Sequence, residues 1–217
     1  DLKKFGHNSV EVLHLLAESM KHAYADRSKY LGDPDFTEIP IGALISKKYA
    51  NAINKTIDTK KAKPSQSIKP GQVAEYESPD TTHFSIADQY GNVLSLTYTI
   101  NFSFGSRLMI PGLGFFLNNE MDDFSLRPGV PNAYGLIGAK ANELAPGKRP
   151  LSSMTPTIVF KNKKPFLVTG SPGGSRIITT VLQMIINVID FDLDVAEATM
   201  APRIHHQWLP EKLQYEN

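Results

Sequence analysis

Asp80-Thr81-Thr82-His83 is where a polar stretch gives way to alternating residues, and it offers one specific chemistry. A threonine hydroxyl is a weak nucleophile at its ordinary pKa, but a free α-amine on the same residue can act as its base. That chemistry requires chain cleavage between Asp80 and Thr81; without it, Thr81 is an ordinary strand-opening residue. A second feature is the turn Gly170-Ser171-Pro172-Gly173-Gly174-Ser175-Arg176, between an expected strand and an expected helix. Its N–H groups can converge on a developing oxyanion, although a tight, well-packed connection would look the same. The turn has neither the Lys-Ser/Thr of a nucleotide P-loop nor dinucleotide-fingerprint spacing.

Other candidates are weaker on spacing alone. Glu120, Asp122 and Asp123 have no further ligand at metal-like spacing and read as a solvated acidic turn. His205 and His206 are adjacent, so their side chains diverge and a zinc site would need a third ligand. Ser152-Ser153 has no flanking nucleophile-elbow glycines.

The elements that must position these residues are legible in outline. Leu13, Leu16, Ala17, Met20 and Tyr24 recur at helical spacing after an expected Asn8 cap paired with Glu11, and the pattern stops near Tyr30-Leu31-Gly32-Asp33-Pro34. A weaker helix is expected from Leu44 to Ile57. Residues 58–80 are polar and rich in turn formers, which suits a linker or flexible loop. The period then becomes two. Residues 81–87 and 93–101 form an expected hairpin with Leu94, Leu96, Tyr98 and Ile100 on one face and Ser95, Thr97, Thr99 and Asn101 on the other. Residues 105–150 are rich in Gly and Pro, so regular structure should be sparse. A second hairpin is expected over Thr157–Phe160 and Phe166–Thr169. A helix should run from Ser175 to Ile189, and a short one from Asp194 to Met200.

Composition narrows the possibilities. The 217 residues suit one globular domain or two small ones; they are 41% hydrophobic and 21% charged, with a net charge of +1. That balance gives no electrostatic reason to expect nucleic acid or an anionic membrane as a partner. The absence of cysteine excludes disulfides, a thiol nucleophile and cysteine-based metal sites. No run approaches the roughly 18 apolar residues of a membrane span. The start Asp1-Leu2-Lys3-Lys4, which lacks both an initiator Met and signal-peptide character, suggests a mature product or a fragment.

Several motifs, in order along the whole chain, resemble the γ-glutamyltranspeptidases, a family of self-cleaving N-terminal-nucleophile hydrolases. They are Tyr24-Ala25-Asp26-Arg27-Ser28, Tyr30–Pro34, Thr81–Ser85, Tyr98–Asn101, Leu117–Phe124, Lys148–Met154, Gly170–Arg176 and Ala201–Trp208. The resemblance implies an α+β, four-layer αββα sandwich, incomplete because the chain looks like a segment straddling the processing site. Residues 1–80 would end the large-subunit region and 81–217 would begin the small, catalytic one.

The resemblance further implies autocleavage at Asp80-Thr81 and a γ-glutamyl ester on Thr81. The γ-glutamyl group would come from glutathione or other γ-glutamyl small molecules and pass to water or to an amino acid or dipeptide acceptor. Thr99 would hydrogen-bond the Thr81 region, and Gly173 and Gly174 would hold the oxyanion. Asn101, Glu120 and Asp123 would grip the substrate α-amino group, Ser152 and Ser153 its α-carboxylate, and Tyr134 would close over the pocket as a lid. The family's carboxylate-binding arginine has no match here, since Arg27 sits in a different motif. No cofactor or metal is implied. The two cleavage products would stay together as a heterodimer, and the family's habit is periplasmic or secreted. The alternatives are a related amidase, such as a cephalosporin acylase or a poly-γ-glutamate-processing enzyme, and a catalytically silent fragment or uncut precursor.

Overall fold

The first helix, α1 (Val10–Tyr30), starts from Ser9, whose hydroxyl accepts from the Val12 N–H. Asn8 does not cap it. Asn8 has a left-handed backbone, and its amide donates instead to the Pro202 carbonyl at 3.1 Å. The expected second helix is broken into α2 (Ile41–Leu44) and α3 (Lys47–Asn54), because Ser46 takes an extended conformation and caps α3 through the Tyr49 N–H. The computed structural model describes residues 1–68 and 81–216. Asp80 and most of the polar stretch before it lie outside that range.

Strands β1 (Thr82–Ala87) and β2 (Val93–Tyr98) form an antiparallel hairpin in which Phe84 faces Leu96 and Ser85 faces Ser95. β2 stops at Tyr98 because Asn101 turns the chain with a φ of 75°. The expected alternation of faces is present. The hydroxyl face packs on the second hairpin, with Ser85 and Ser95 donating to the Val168 and Thr169 carbonyls at 3.3 and 2.9 Å. On the apolar face, Phe84, Ile86, Leu94 and Tyr98 are exposed within these residues. The second hairpin joins β3 (Thr157–Lys161) to β4 (Lys164–Thr169). Its turn residues Asn162 and Lys163 both have positive φ, the geometry that matches strand twist in a two-residue connection.

After β4, Gly174–Arg176 form one 3-10 turn before α4 (Ile177–Ile189). α5 (Val195–Met200) follows, capped by Asp194 and Glu197 in a reciprocal box. Two short strands, β5 (Ile204–His205) and β6 (Gln214–Tyr215), pair at the end.

Two apolar clusters hold the elements together. Val12, Leu16, Ala17 and Met20 on α1 pack with Ile204, Ile186 and Phe191, joining α1 to α4 and β5. Tyr24, Ala25, Ile68, Tyr134, Leu136, Ile137, Trp208 and Leu209 form the second. Trp208 is 2% exposed, and its indole N–H donates to the Ser65 and Ile68 carbonyls, pinning residues 65–68 to the loop after β5.

Beside this pin lies a buried ion pair. Lys21 Nζ is 2.5 Å from Glu18 Oε1 and from the Lys63 carbonyl, and both side chains are 2% exposed. His205 and His206 do diverge. His205 bonds Thr179 and Gln207, whereas His206 faces Glu211, with its pKa pushed down to about 4, chiefly by burial.

Candidate functional site

Thr81 sits at the head of β1, half-buried, with its hydroxyl oxygen 3.5 Å from that of Thr99 just past the end of β2. A run of contacts leads from there to the paired-glycine turn. Thr99 Oγ1 accepts the Asn101 N–H at 2.9 Å, and the Asn101 carbonyl accepts the Tyr134 hydroxyl at 2.9 Å. Tyr134, 6% exposed, lies flat against Gly174. A Cβ on Gly174 would come 2.5 Å from the Tyr134 ring, and its φ of 53° also favours glycine. Gly173, with φ 128°, adopts a backbone almost closed to other residues. Among the described residues, neither glycine N–H is taken up by a protein acceptor, which leaves both able to meet an anion. The turn is also anchored from β1, since any side chain at Gly170 would overlap the His83 ring.

The acidic turn is only partly solvated, with its three carboxylates half-buried. The Asn101 amide donates to the Asn119 carbonyl, and the Asn119 side chain accepts the Phe102 N–H, so residues 119–123 are drawn alongside Asn101. There the chain makes a 3-10 turn, Glu120–Asp123. Asp122 accepts the Ala133 N–H at 3.0 Å and so braces the loop carrying Tyr134. Asp123 is largely removed from water, and burial pushes its pKa up to about 7; Arg27 opposes the rise, while Asp122 and Glu120 add to it. Burial also raises the Glu120 carboxyl above its ordinary range.

The serine pair reaches the acidic turn through Asn142, a residue no spacing argument singled out. The buried Asn142 amide donates to the Asp123 carbonyl at 2.7 Å, and its side-chain oxygen accepts the Leu151 N–H at 3.0 Å. Ser153 is half-buried and accepts from Arg27 Nη2 at 3.0 Å, whereas Ser152 is exposed and accepts the Met154 N–H. The approach of the serine loop is fixed from α1's exit, where Asp33 accepts the Arg149 N–H at 2.9 Å and Nε at 3.0 Å and pairs with Nη2. These bonds hold the Asp33 carboxyl well below its usual range. The motifs 30–34 and 148–154, over 110 residues apart, are therefore two halves of one contact.

The structure thus joins Thr81, Thr99, Asn101, Tyr134 and Gly174 in one network, and Asp123, Ser153 and Arg27 in an adjoining one. Sequence reasoning missed Arg27 and Asn142. Arg27 had a signal, since it lies three residues past Tyr24 on the helix face that the core requires. No group of His, Asp and Glu suited to a metal occurs among the described residues.

A threonine heading one hairpin that packs on a second, and linked through Thr99, Asn101 and Tyr134 to a paired-glycine turn, is the arrangement of N-terminal-nucleophile hydrolases. Comparison with known proteins agrees. A cephalosporin acylase from Bacillus halodurans superposes with a TM-score of 0.73 at 28% identity, covering 93% of this chain and 34% of that one. A Helicobacter pylori γ-glutamyltranspeptidase mutant superposes at 0.62 with 64% identity, covering 63% of this chain and 73% of that one. The model of the Gamma-glutamyltranspeptidase family matches residues 1–217, and the chain belongs to that family.

Among curated relatives, the glutathione hydrolase proenzyme of Escherichia coli (strain K12) is 59% identical over 216 residues, all of this chain and 37% of that protein. The Acylase ACY 1 proenzyme of a Pseudomonas species is 39% identical over 94% of this chain and 34% of that protein. The chain thus spans little more than a third of the length of these relatives.

Proposed function

We propose that the full-length protein is a γ-glutamyltransferase and glutathione hydrolase with Thr81 as its nucleophile. The observation that carries this reading is the placement of the Thr81 hydroxyl beside Thr99, on a contact network that runs through Asn101 and Tyr134 to Gly174 in the paired-glycine turn. Cleavage after Asp80 frees the Thr81 amine, which then accepts the hydroxyl proton as Oγ1 attacks the γ-carbonyl of the donor. The tetrahedral oxyanion takes the two glycine N–H groups, each such donor contributing about 3 kcal/mol of barrier reduction. Collapse expels the donor's amine, protonated by the Thr81 ammonium, and leaves a γ-glutamyl ester. Water or the amine of an amino acid or dipeptide completes the cycle by the reverse proton path.

The donor's zwitterionic head explains the adjoining network. Asp123, Glu120 and Asn101 receive its ammonium, and Ser152 and Ser153 donate to its carboxylate. Tyr134 covers the pocket and excludes water, which favours transfer over hydrolysis. In this reading residues 1–80 and 81–217 become parts of two subunits that remain associated through the α1, α4 and β5 cluster, and the enzyme works in the periplasm or outside the cell. No helix among the described residues is long and apolar enough to cross a membrane.

The similarity to a cephalosporin acylase and to Acylase ACY 1 supports a second reading, an amidase for a donor without the α-amino group. The half-buried Asp123 argues against it, because such a donor would bring that carboxyl no ammonium to receive.

N-terminal sequencing and intact mass of purified full-length protein should give two pieces, the second beginning Thr-Thr-His-Phe-Ser, with release of p-nitroaniline from γ-glutamyl-p-nitroanilide. Thr81→Ala should remain uncut and inactive. Maturation of that variant, or turnover of glutaryl-p-nitroanilide in preference to the γ-glutamyl compound, would refute the assignment.

A further inference from the structure

Arg27 lies in the last turn of α1, and no reading of the site so far gives it a task. Its Nη2 donates to Ser153 Oγ at 3.0 Å. A serine hydroxyl has one proton to give and two lone pairs to receive with. An arginine N–H, which can only donate, occupies a lone pair, so the Ser153 proton is left to point elsewhere. Arg27 also lines, with Asp123, Asn142 and Leu151, a cavity of about 20 Å³. That is room for about one water and far too little for an amino-acid head. Arg27 also lines a pocket of about 330 Å³ against α2 and α3, so it stands between that pocket and the small cavity it shares with Asp123, and it meets the serine pair through Ser153. Carboxyl and guanidinium influence each other across this gap, each favouring the other's charged form against burial.

We propose that Arg27 is a positioning residue for the donor's α-amino acid head: it turns the Ser153 hydroxyl into a carboxylate donor and holds Asp123 ready to receive the ammonium. One guanidinium thus sets both poles of a zwitterion pocket. The role rests on the γ-glutamyl reading above. The charged and titratable groups facing Asp123 are Arg27 from α1 and Asp122 and Glu120 from its own turn; those facing Arg27 are Tyr24 and Asp123.

The test uses the full-length, self-processed enzyme with γ-glutamyl-p-nitroanilide. Arg27→Gln should raise KM by at least about tenfold, the scale of a hydrogen bond to a charged group, with kcat changed less than about threefold. The acidic limb of its kcat/KM profile should move to higher pH, since Asp123 loses the charge that favours its ionisation. Arg27→Lys keeps the charge without the fork, so the limb should return while KM recovers only in part. Should Arg27→Gln fail to fold, Arg27→Lys and Ser153→Ala carry the same test: both should raise KM, and combining them should add little beyond Ser153→Ala alone.

An unchanged KM and acidic limb, or a fall in kcat alone, would overturn the positioning role while leaving the enzyme's function intact. A parent enzyme that does not cleave the anilide would instead overturn the γ-glutamyl reading and this role with it.

Discussion

Replacing Asp123 by Asn should stabilise the ligand-free protein while disabling it, and the size of the effect follows from the carboxyl's surroundings. Its pKa rises from 3.8 to about 7, with burial the leading cause. A shift of about 3 units corresponds to about 4 kcal/mol of preference for the neutral form. Because the folded pKa lies above the unfolded one, the protein is most stable below pH 4 with respect to this group. Stability is then lost as pH rises from about 4 to about 7. At pH 5 the folded carboxyl is still protonated and the cost is about 1.5 kcal/mol, whereas at pH 9 the full 4 kcal/mol or so applies. Asn cannot ionise, so parent and variant should diverge by about 2.5 kcal/mol between these two pH values.

Urea unfolding at pH 5 and pH 9, followed by circular dichroism in a Thr81→Ala background to keep both proteins uncut, measures this difference. The same substitution in the processable enzyme should raise KM for γ-glutamyl-p-nitroanilide by two orders of magnitude or so, the loss expected when a buried charge pair forfeits one partner. A gap that stays constant with pH would show that Asp123 is hydrated in the folded protein, and the electrostatic account of the pocket would fall with it.

Two further outcomes are expected. Gly174→Ala forces a Cβ into the Tyr134 ring and would displace the proposed oxyanion donor, so kcat should fall on the order of a hundredfold, measured with the same anilide. A variant with parental kcat would mean that the turn does not hold the oxyanion. Lys21→Met leaves Glu18 buried without its cation and should cost about 3–5 kcal/mol in chemical denaturation. Adding Glu18→Gln should recover at least half of that loss, and failure to do so would assign the cost to packing rather than to charge.

Much of the frame was legible because local rules governed it. α1, both hairpins and α5 lie close to where periodicity and breakers put them. The departures have local causes: Ser9 outcompeted Asn8 as a cap, and Ser46 split a helix that composition alone ran together. The candidate site divides differently. The Gly170–Arg176 turn announces itself as a strand-to-helix turn with paired glycines, but nothing in its spacing shows that Tyr134 lies against it. Glu120–Asp123 read as a solvated turn because sequence cannot report that the Asn101 and Asn119 contacts draw it alongside the site and partly out of water. Arg27 belongs to a motif on α1, and nothing in the sequence shows that it bonds Ser153, 126 positions away.

The order of motifs along the chain was enough, by itself, to set the family and the residue types available for chemistry, since side-chain chemistry and short-range backbone preferences are written locally. Tertiary structure alone decided which of those residues meet, which carboxyls are drawn partly out of water, and which hydroxyl accepts from Arg27. Those properties depend on distance, burial and hydrogen-bond direction between segments far apart in the chain, and they exist only once the core has closed around them.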